Sequence, residues 1–277
     1  MPISEKFVTE TGPGFSDEEK AEIERSAVEA ARRTEPIVVD RSQLVRYADP
    51  PGDTIFPLEY SFHLLGPVRG LTILDYGCGA GEDLVHLAAR GADVVGLDIS
   101  PQLVELARKR LNAHNLTAQY AVRSGYQTGL PSGSVDIIFA IAIFHHLDLA
   151  AAKKELCRVL KPSGVIIIQE PVRDSKWVSA LLKIIPYRRE EISEFERPLT
   201  RTQLDELSEG FECKSIRRFR LPFVSLAHHL FPRLVRPAYV LDAWLLRTLP
   251  SLRHFATIEV RKLIRKTAAP SSVASNG

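Results

Sequence analysis

The sequence predicts an open α/β sheet with helices on both faces, and three observations carry that prediction. Short apolar runs alternate with helical stretches from Leu71 onward, a glycine-rich turn follows the first run, and capping residues or proline stand where helices would begin. A chain of 277 residues with 45% hydrophobic and 25% charged content has enough apolar surface for one large core with helices added to it.

Ser16-Asp17-Glu18-Glu19 resembles a capping box ahead of a helix reaching about Arg33. A loop with Pro50-Pro51-Gly52-Asp53 as its turn leads to a helix near Leu58 to Leu65. Strands are expected at Thr72 to Tyr76, Asp93 to Leu97, Ala118 to Val122, Val135 to Ile141 and Gly164 to Gln169. Helices fill the intervals Glu82 to Arg90, Pro101 to Asn112 and Ala150 to Val159, with Ser100 as cap and Pro101 in the tolerated first turn. Lys161-Pro162-Ser163-Gly164 reads as the turn into the fifth strand. Beyond Pro171 come an irregular stretch from Val172 to Arg197, a helix from about Thr200 to Ser208, and strands near Phe211 to Leu221 and Ala256 to Leu263. The thirty or so residues between those strands are too many for a plain loop, so Phe223 to His254 reads as short inserted helices.

The resulting division is an N-terminal helical cap segment (1–65), a cofactor-binding core (66–171), a C-terminal part of the sheet with a lid insert at about 223–254 (172–266), and a disordered tail (267–277).

The formal charge of +2 lacks the strong basic bias of nucleic-acid enzymes, so no nucleic-acid partner is expected. Cys78, Cys157 and Cys213 form no C-x-x-C pair, which suggests neither disulfides nor zinc and makes a reducing cytoplasm the expected location. The N-terminus lacks a signal-peptide pattern, and no window offers the roughly 18 apolar residues of a spanning helix. Charge is nevertheless uneven. Residues 1–40 hold ten acidic residues against five Lys/Arg, whereas residues 211–277 hold twelve Lys/Arg against three acids. Solvated faces account for this, and peripheral contact with anionic lipid through the basic C-terminal region is the alternative.

The turn Gly77-Cys78-Gly79-Ala80-Gly81 follows the first strand, and glycines there let the backbone approach a ligand that a Cβ would block. Asp75 stands just before it, and Asp98 ends the second strand nineteen residues after Gly79, where a carboxylate can accept both ribose hydroxyls. A dinucleotide fingerprint would need glycine at position 82, which is Glu82, and a carboxylate there repels a pyrophosphate at the helix start. No Gly-Lys-Ser/Thr follows, so a P-loop is excluded. S-adenosylmethionine fits what is left: its ammonium end meets Asp75 and its ribose meets Asp98.

Residues from Leu71 to about Pro171 resemble the methyltransferase domain of the ubiquinone and menaquinone biosynthesis type, a group of class I S-adenosylmethionine enzymes. The resemblance rests on Leu74 to Gly81, Gly96 to Ser100, Gly133 to Ile138, Phe144 to Leu147 and Glu155 to Gly164, in order and at the usual spacing. It implies a Rossmann-like seven-stranded sheet with an antiparallel last strand. It also implies S-adenosyl-L-methionine bound by Asp75, Gly77, Cys78, Gly79, Gly81, Asp98, Ile99, Ser124, Gly125 and Ala140. One block departs from the family pattern: the acid usual before a Leu-Pro pair, which contacts the adenine amino group, is missing from Arg123 to Gly129. Ser124 or the neighbouring backbone is the substitute, with Tyr126 supplying a ring.

For transfer, His145 and His146 after the fourth strand are candidate general bases toward a hydroxyl acceptor, with packing and capping as their alternative role. The doublets His145-His146 and His228-His229 lack helical ligand spacing, so no metal is expected. The acceptor pocket is expected outside the common core, at Tyr47, Tyr60, Trp177, His228 and Trp244, whose character suits a small hydrophobic acceptor. Methylation of oxygen is favoured over carbon or nitrogen. The alternatives are a cofactor-retaining cyclase or decarboxylase and a non-catalytic cofactor-binding scaffold.

Overall fold

A computed structural model describes residues 14–32, 37–175 and 198–266. Trp177, most of the irregular stretch up to Arg197 and the tail 267–277 lie outside the described residues.

Three helices come first: α1 (Asp17–Arg32), α2 (Arg41–Ala48) and α3 (Pro57–Leu65). The repeating part follows as β1 (Thr72–Tyr76), α4 (Glu82–Ala89), β2 (Asp93–Asp98), α5 (Pro101–Ala113), β3 (Gln119–Val122), β4 (Val135–Ile141), α6 (Leu149–Val159) and β5 (Leu160–Pro171). The C-terminal part holds α7 (Arg201–Ser208), β6 (Phe211–Phe219), α8 (Pro222–Leu230), α9 (Val235–Thr248) and β7 (Ile258–Arg265). One seven-stranded sheet results, in the order β3-β2-β1-β4-β5-β7-β6. Its first five strands pair parallel, and β7 runs antiparallel between β5 and β6. This is the architecture the sequence predicts, with the antiparallel strand where the resemblance puts it.

Local chemistry sets the helix starts. Ser100 Oγ accepts from Leu103 N at 3.3 Å, Asp148 Oδ1 from Ala151 N at 2.8 Å, and Thr200 with Gln203 closes a reciprocal capping box. Each such cap stabilises its helix by about 1 kcal/mol. Two expectations need correction. The stretch read as a loop contains α2, whose first turn is capped by Asp40 Oδ1 accepting from Ser42 N at 2.7 Å. Strand β5 begins at Leu160, not Gly164, because a register shift opposite Val135 and Ile137 absorbs the turn, with Ser163 at φ 60°.

Alternation along the strands divides the core between the two faces of the sheet. Leu74, Leu97, Ile138, Ala140 and Ile166 pack with Leu156 of α6 and Leu204 of α7 on one side. Ile73, Val94, Phe139 and Ile167 pack with Phe62, Leu84 and Leu111 on the other. The edge beyond β5 is pinned differently. The buried Glu259 of β7 accepts from Arg201 Nε at 3.2 Å, Arg218 Nε at 2.8 Å and Arg261 Nε at 2.6 Å, tying α7, β6 and β7 together. The insert is helical as predicted. Pro222 and Pro237 sit in first turns, where the missing N–H costs nothing, and the buried Asp242 of α9 accepts from Arg220 N at 2.9 Å and Leu221 N at 2.7 Å at the start of α8.

Candidate active site

The C-terminal tips of β1, β2, β3 and β4 open on a cleft of about 720 Å³. Open parallel sheets bind ligands at this edge, because the helices diverge there and leave backbone groups free. Gly77 N and Cys78 N donate to Leu97 O at 2.9 and 2.8 Å, which closes the turn after β1 against the end of β2. Gly77 has φ 81°, and a Cβ on it would stand 2.7 Å from Ile143 Cδ1; Gly81 has φ 83°, and a Cβ there would meet Ala107. A Cβ on Gly79 would meet nothing within 4 Å, so its surroundings are open. Asp98 Oδ2 accepts from Gly79 N and Oδ1 from Ser100 N, both at 2.9 Å, which fixes the carboxylate on the cleft wall.

Asp75 lies behind that wall, 2% exposed, with Oδ2 lacking any hydrogen-bond partner. Burial, with the nearby carboxylates Asp83 and Asp98, holds its carboxyl well above the usual carboxylate range. An unpaired buried carboxyl of this kind is stabilised in its charged form by a cation, which is what the ammonium of an amino-acid ligand supplies.

At the tip of β4, Ala142 takes φ 53° and donates its N–H to Gln169 O at 2.7 Å, presenting Ile143 and His145 to the cleft. Glu170, fully buried at the end of β5, accepts from Ile143 N and Phe144 N, each at 2.7 Å, and meets His145 Nδ1 at 2.8 Å. A carboxylate already accepting two N–H groups requires Nδ1 of His145 to donate, which leaves Nε2 as the acceptor of that ring. His146 also lines the cleft, 3.7 Å from Glu22 Oε2, and burial beside His145 pulls its pKa down to about 4, so it is neutral near pH 7.

The sequence-predicted residues fall into groups. Gly77, Gly79, Asp98, Ile99, Gly125, His145 and His146 line the cleft together. Gly81 caps α4, while Cys78 is buried beneath the turn, where desolvation raises its thiol pKa and removes it as a nucleophile. Ser124 reaches the cleft through Glu19, whose Oε1 accepts from its hydroxyl at 2.5 Å. Ala140 is corrected: it lies within β4, short of the strand's end, and is fully buried in the core, while Ala142 and Ile143 beyond the end of β4 line the cleft instead.

None of the described acceptor-pocket candidates lines this cleft. Tyr47 packs on Phe62 and His86 on the core side, with centroids 5.0 and 4.6 Å away. Tyr60 lies against Phe219, and its hydroxyl meets Ser215 Oγ at 2.7 Å. His228 sits edge-on to Tyr239. Trp244 borders a second cleft of about 830 Å³ with Arg217 and Arg247, formed by β6 and α9. Tyr47 and Tyr60 stand on α2 and α3, and His228 and Trp244 on α8 and α9, helices that contribute no residue to the cleft at the β1–β4 tips. Ala142, Ile143 and the α1 residues Glu18, Glu19 and Glu22 also line the cleft, a placement the sequence does not mark. For Glu170, an acid ending an apolar strand was the available signal; for α1, nothing in its spacing marks a cleft wall. Among the described residues, no group of three or more His, Cys, Asp or Glu could hold a metal ion, and no helix is long and apolar enough to cross a membrane.

The model of a methyltransferase domain matches residues 74–168. A ubiquinone biosynthesis O-methyltransferase of Alkalilimnicola ehrlichii is 30% identical over 171 residues, covering 55% of this chain and 68% of that protein. The chain belongs to the class I S-adenosylmethionine-dependent methyltransferases. Within this family, the 2-methyl-6-phytyl-1,4-hydroquinone methyltransferase of Synechocystis sp. is 32% identical over 171 residues, covering 57% of this chain and 54% of that protein. The chain thus spans about half the length of that relative, and 45% of another ubiquinone biosynthesis O-methyltransferase, from Cereibacter sphaeroides. The class I fold extends to a solved geranyl diphosphate methyltransferase in complex with GPP and sinefungin, at TM-score 0.58 and 18% identity over 91% of this chain and all of that one.

Proposed function

We propose that the chain transfers a methyl group from S-adenosylmethionine to a hydroxyl of a small, mainly apolar acceptor. The observation that carries this reading is the pairing of two devices at one cleft: Asp98 fixed on its wall at the tip of β2, with the buried, unpartnered Asp75 behind that wall, and the Glu170-held imidazole of His145 after β4. The bound methyl donor supplies an electrophilic methyl on a sulfonium. Asp75 compensates the ammonium of the amino-acid end, Asp98 accepts the ribose hydroxyls, and the turn at Gly77 and Gly79 admits the ligand's close approach. Nε2 of His145 would take the acceptor's hydroxyl proton as the O–C bond forms and the methyl–sulfonium bond breaks, its electron pair leaving on the thioether of S-adenosylhomocysteine, and Glu170 would stabilise the resulting imidazolium. Much of the rate comes from holding the reacting atoms in line, which the rigid strand tips favour. Relatives named as O-methyltransferases and as a hydroquinone methyltransferase support oxygen and a quinol-like acceptor.

On this reading, residues 1–65 cap the site and 66–171 form the cofactor side, whereas the insert at about 223–254 stands off the cleft. The basic, apolar surface of that insert is proposed as a peripheral contact with anionic lipid, where a hydrophobic acceptor would reside.

Calorimetric titration with S-adenosylmethionine and S-adenosylhomocysteine tests the cofactor, and a labelled-methyl screen over quinols, phenols and related hydroxyl compounds tests the acceptor class. Binding of both cofactor forms and label in an ether product are expected. Failure to bind either form overturns the reading, and binding without label transfer to any hydroxyl compound overturns the O-methylation.

A further inference from the structure

The strand order works as a ruler across the cleft. Neighbouring strands lie about 4.8 Å apart, and β4, β1, β2 and β3 follow one another in the sheet. A ligand with its amino-acid end at Asp75 on β1 and its ribose at Asp98 on β2 carries its base toward the tip of β3. Adenine presents an exocyclic amine there, a donor that calls for an acceptor. The tip of β3 and the loop after it, Arg123-Ser124-Gly125-Tyr126-Gln127-Thr128-Gly129, contain no carboxylate.

A carboxylate arrives from elsewhere in the chain. Helix α1 lies along the cleft, and Glu19 in its first turn reaches the loop just after β3, where Oε1 accepts from Ser124 Oγ at 2.5 Å. The other oxygen accepts from Ser16 N at 2.8 Å, and Glu19 N donates back to Ser16 Oγ at 3.2 Å. The carboxylate is therefore held by the helix cap on one side and by the loop after β3 on the other. No cation among the described residues pairs with it; Lys20 bonds Asp17, and Arg25 bonds Glu22. About four acceptor sites belong to a carboxylate, and two are used, so a ligand amine can be accepted without breaking either bond.

We infer that Glu19, set in place by Ser124, is the acceptor for the adenine amine, so that α1 forms a wall of the nucleoside pocket and selects the base. This rests on the proposed reading of the cleft as an S-adenosylmethionine site.

The test compares S-adenosylhomocysteine with S-inosylhomocysteine, in which a 6-oxo group replaces the amine, by calorimetry on the full chain. The wild type is expected to prefer the adenine ligand by about tenfold or more, the scale of a hydrogen bond to a charged group. Glu19→Gln keeps an acceptor for the cap and adds an amide donor for the 6-oxo group, so the preference should fall to within about threefold. Glu19→Ala should lose affinity for the adenine ligand and keep that for the inosine ligand nearly unchanged. A purely structural role for the cap would weaken both ligands in proportion and leave their ratio intact, and that result overturns the inference. A wild type that binds the two ligands equally also overturns it. Binding of neither overturns the cofactor reading itself, which is how the two failures are told apart.

Discussion

At the scale of single residues, Glu170 governs the site from behind. Its two backbone bonds fix the turn at Ile143 and Phe144, and its contact with Nδ1 fixes which nitrogen of His145 accepts a proton. Glu170→Gln replaces one acceptor oxygen by an amide donor, so at least one of these three N–H groups loses its partner. The expected result is a fall in kcat of about 10²-fold or more, toward the range of general-base removal, with cofactor affinity changed little. His145→Gln should match it in kcat and, unlike Glu170→Gln, leave thermal stability near wild type. Steady-state kinetics with calorimetry checks both; wild-type kcat in either variant removes His145 from the mechanism. The glycine turn and the strand-end carboxylates Asp75 and Asp98, proposed for the methionine and ribose ends, are legible in the sequence because they are local in the chain. The base contact is not, because Glu19 meets Ser124 across 105 positions and only folding joins them. Ala140 misled for a related reason: a strand's last apolar residues all look alike until the tip is known to lie at Ala142.

At the scale of elements, the insert between β6 and β7 carries a surface that packing leaves unused. Trp244 is 52% exposed and Phe231 53%, and Leu230, Leu234, Val240, Leu241 and Leu249 are exposed with them. Arg233, Arg236 and Arg247 share this segment, whereas its acid, Asp242, is buried and committed to the start of α8. Each such arginine near an anionic leaflet contributes about 1 kcal/mol, and the apolar side chains add burial energy once inserted. The protein is therefore expected to float with vesicles containing phosphatidylglycerol at low salt and to be released from neutral ones. Trp244→Glu should abolish the co-migration while leaving the insert folded, since the side chain is exposed. A wild type that stays with the soluble fraction on anionic vesicles removes the lipid contact. The helical insert itself was readable from its length and its prolines. The helix α2 was not, because its eight residues show the apolar spacing only once, at Leu44, Tyr47 and Ala48, too short a run to separate from a loop.

At the scale of the whole molecule, buried ionisable groups make stability depend on pH in two opposing directions. Asp83 has its carboxyl pushed up to about 7 by burial and by Glu82, and Asp75 is raised as well. Folded carboxyls with raised pKa values bind protons that the unfolded chain has released, so their contribution is present at low pH and is lost as pH rises through the folded value. His86 and His146 act the other way, each pulled by burial from 6.5 to about 4. Between those values the unfolded chain holds a proton on each that the folded chain does not, so stability falls as pH drops from 6.5 to 4. Because the two sets partly cancel, the wild-type curve alone does not assign the slope, and a difference curve does. His86→Phe suits this, since the ring lies among Phe62 and Tyr47, with centroids 5.7 and 4.6 Å away, and its Nδ1 has no hydrogen-bond partner. At pH 7 the variant should be as stable as wild type or more so, because an unsatisfied buried polar atom costs about 1–3 kcal/mol. Its advantage should then widen by one proton's worth of slope from pH 6.5 down to 4 and stay constant below. Urea unfolding at half-unit pH steps measures this, and parallel curves for the two proteins across that window mean that His86 titrates in the folded chain as it does in the unfolded one.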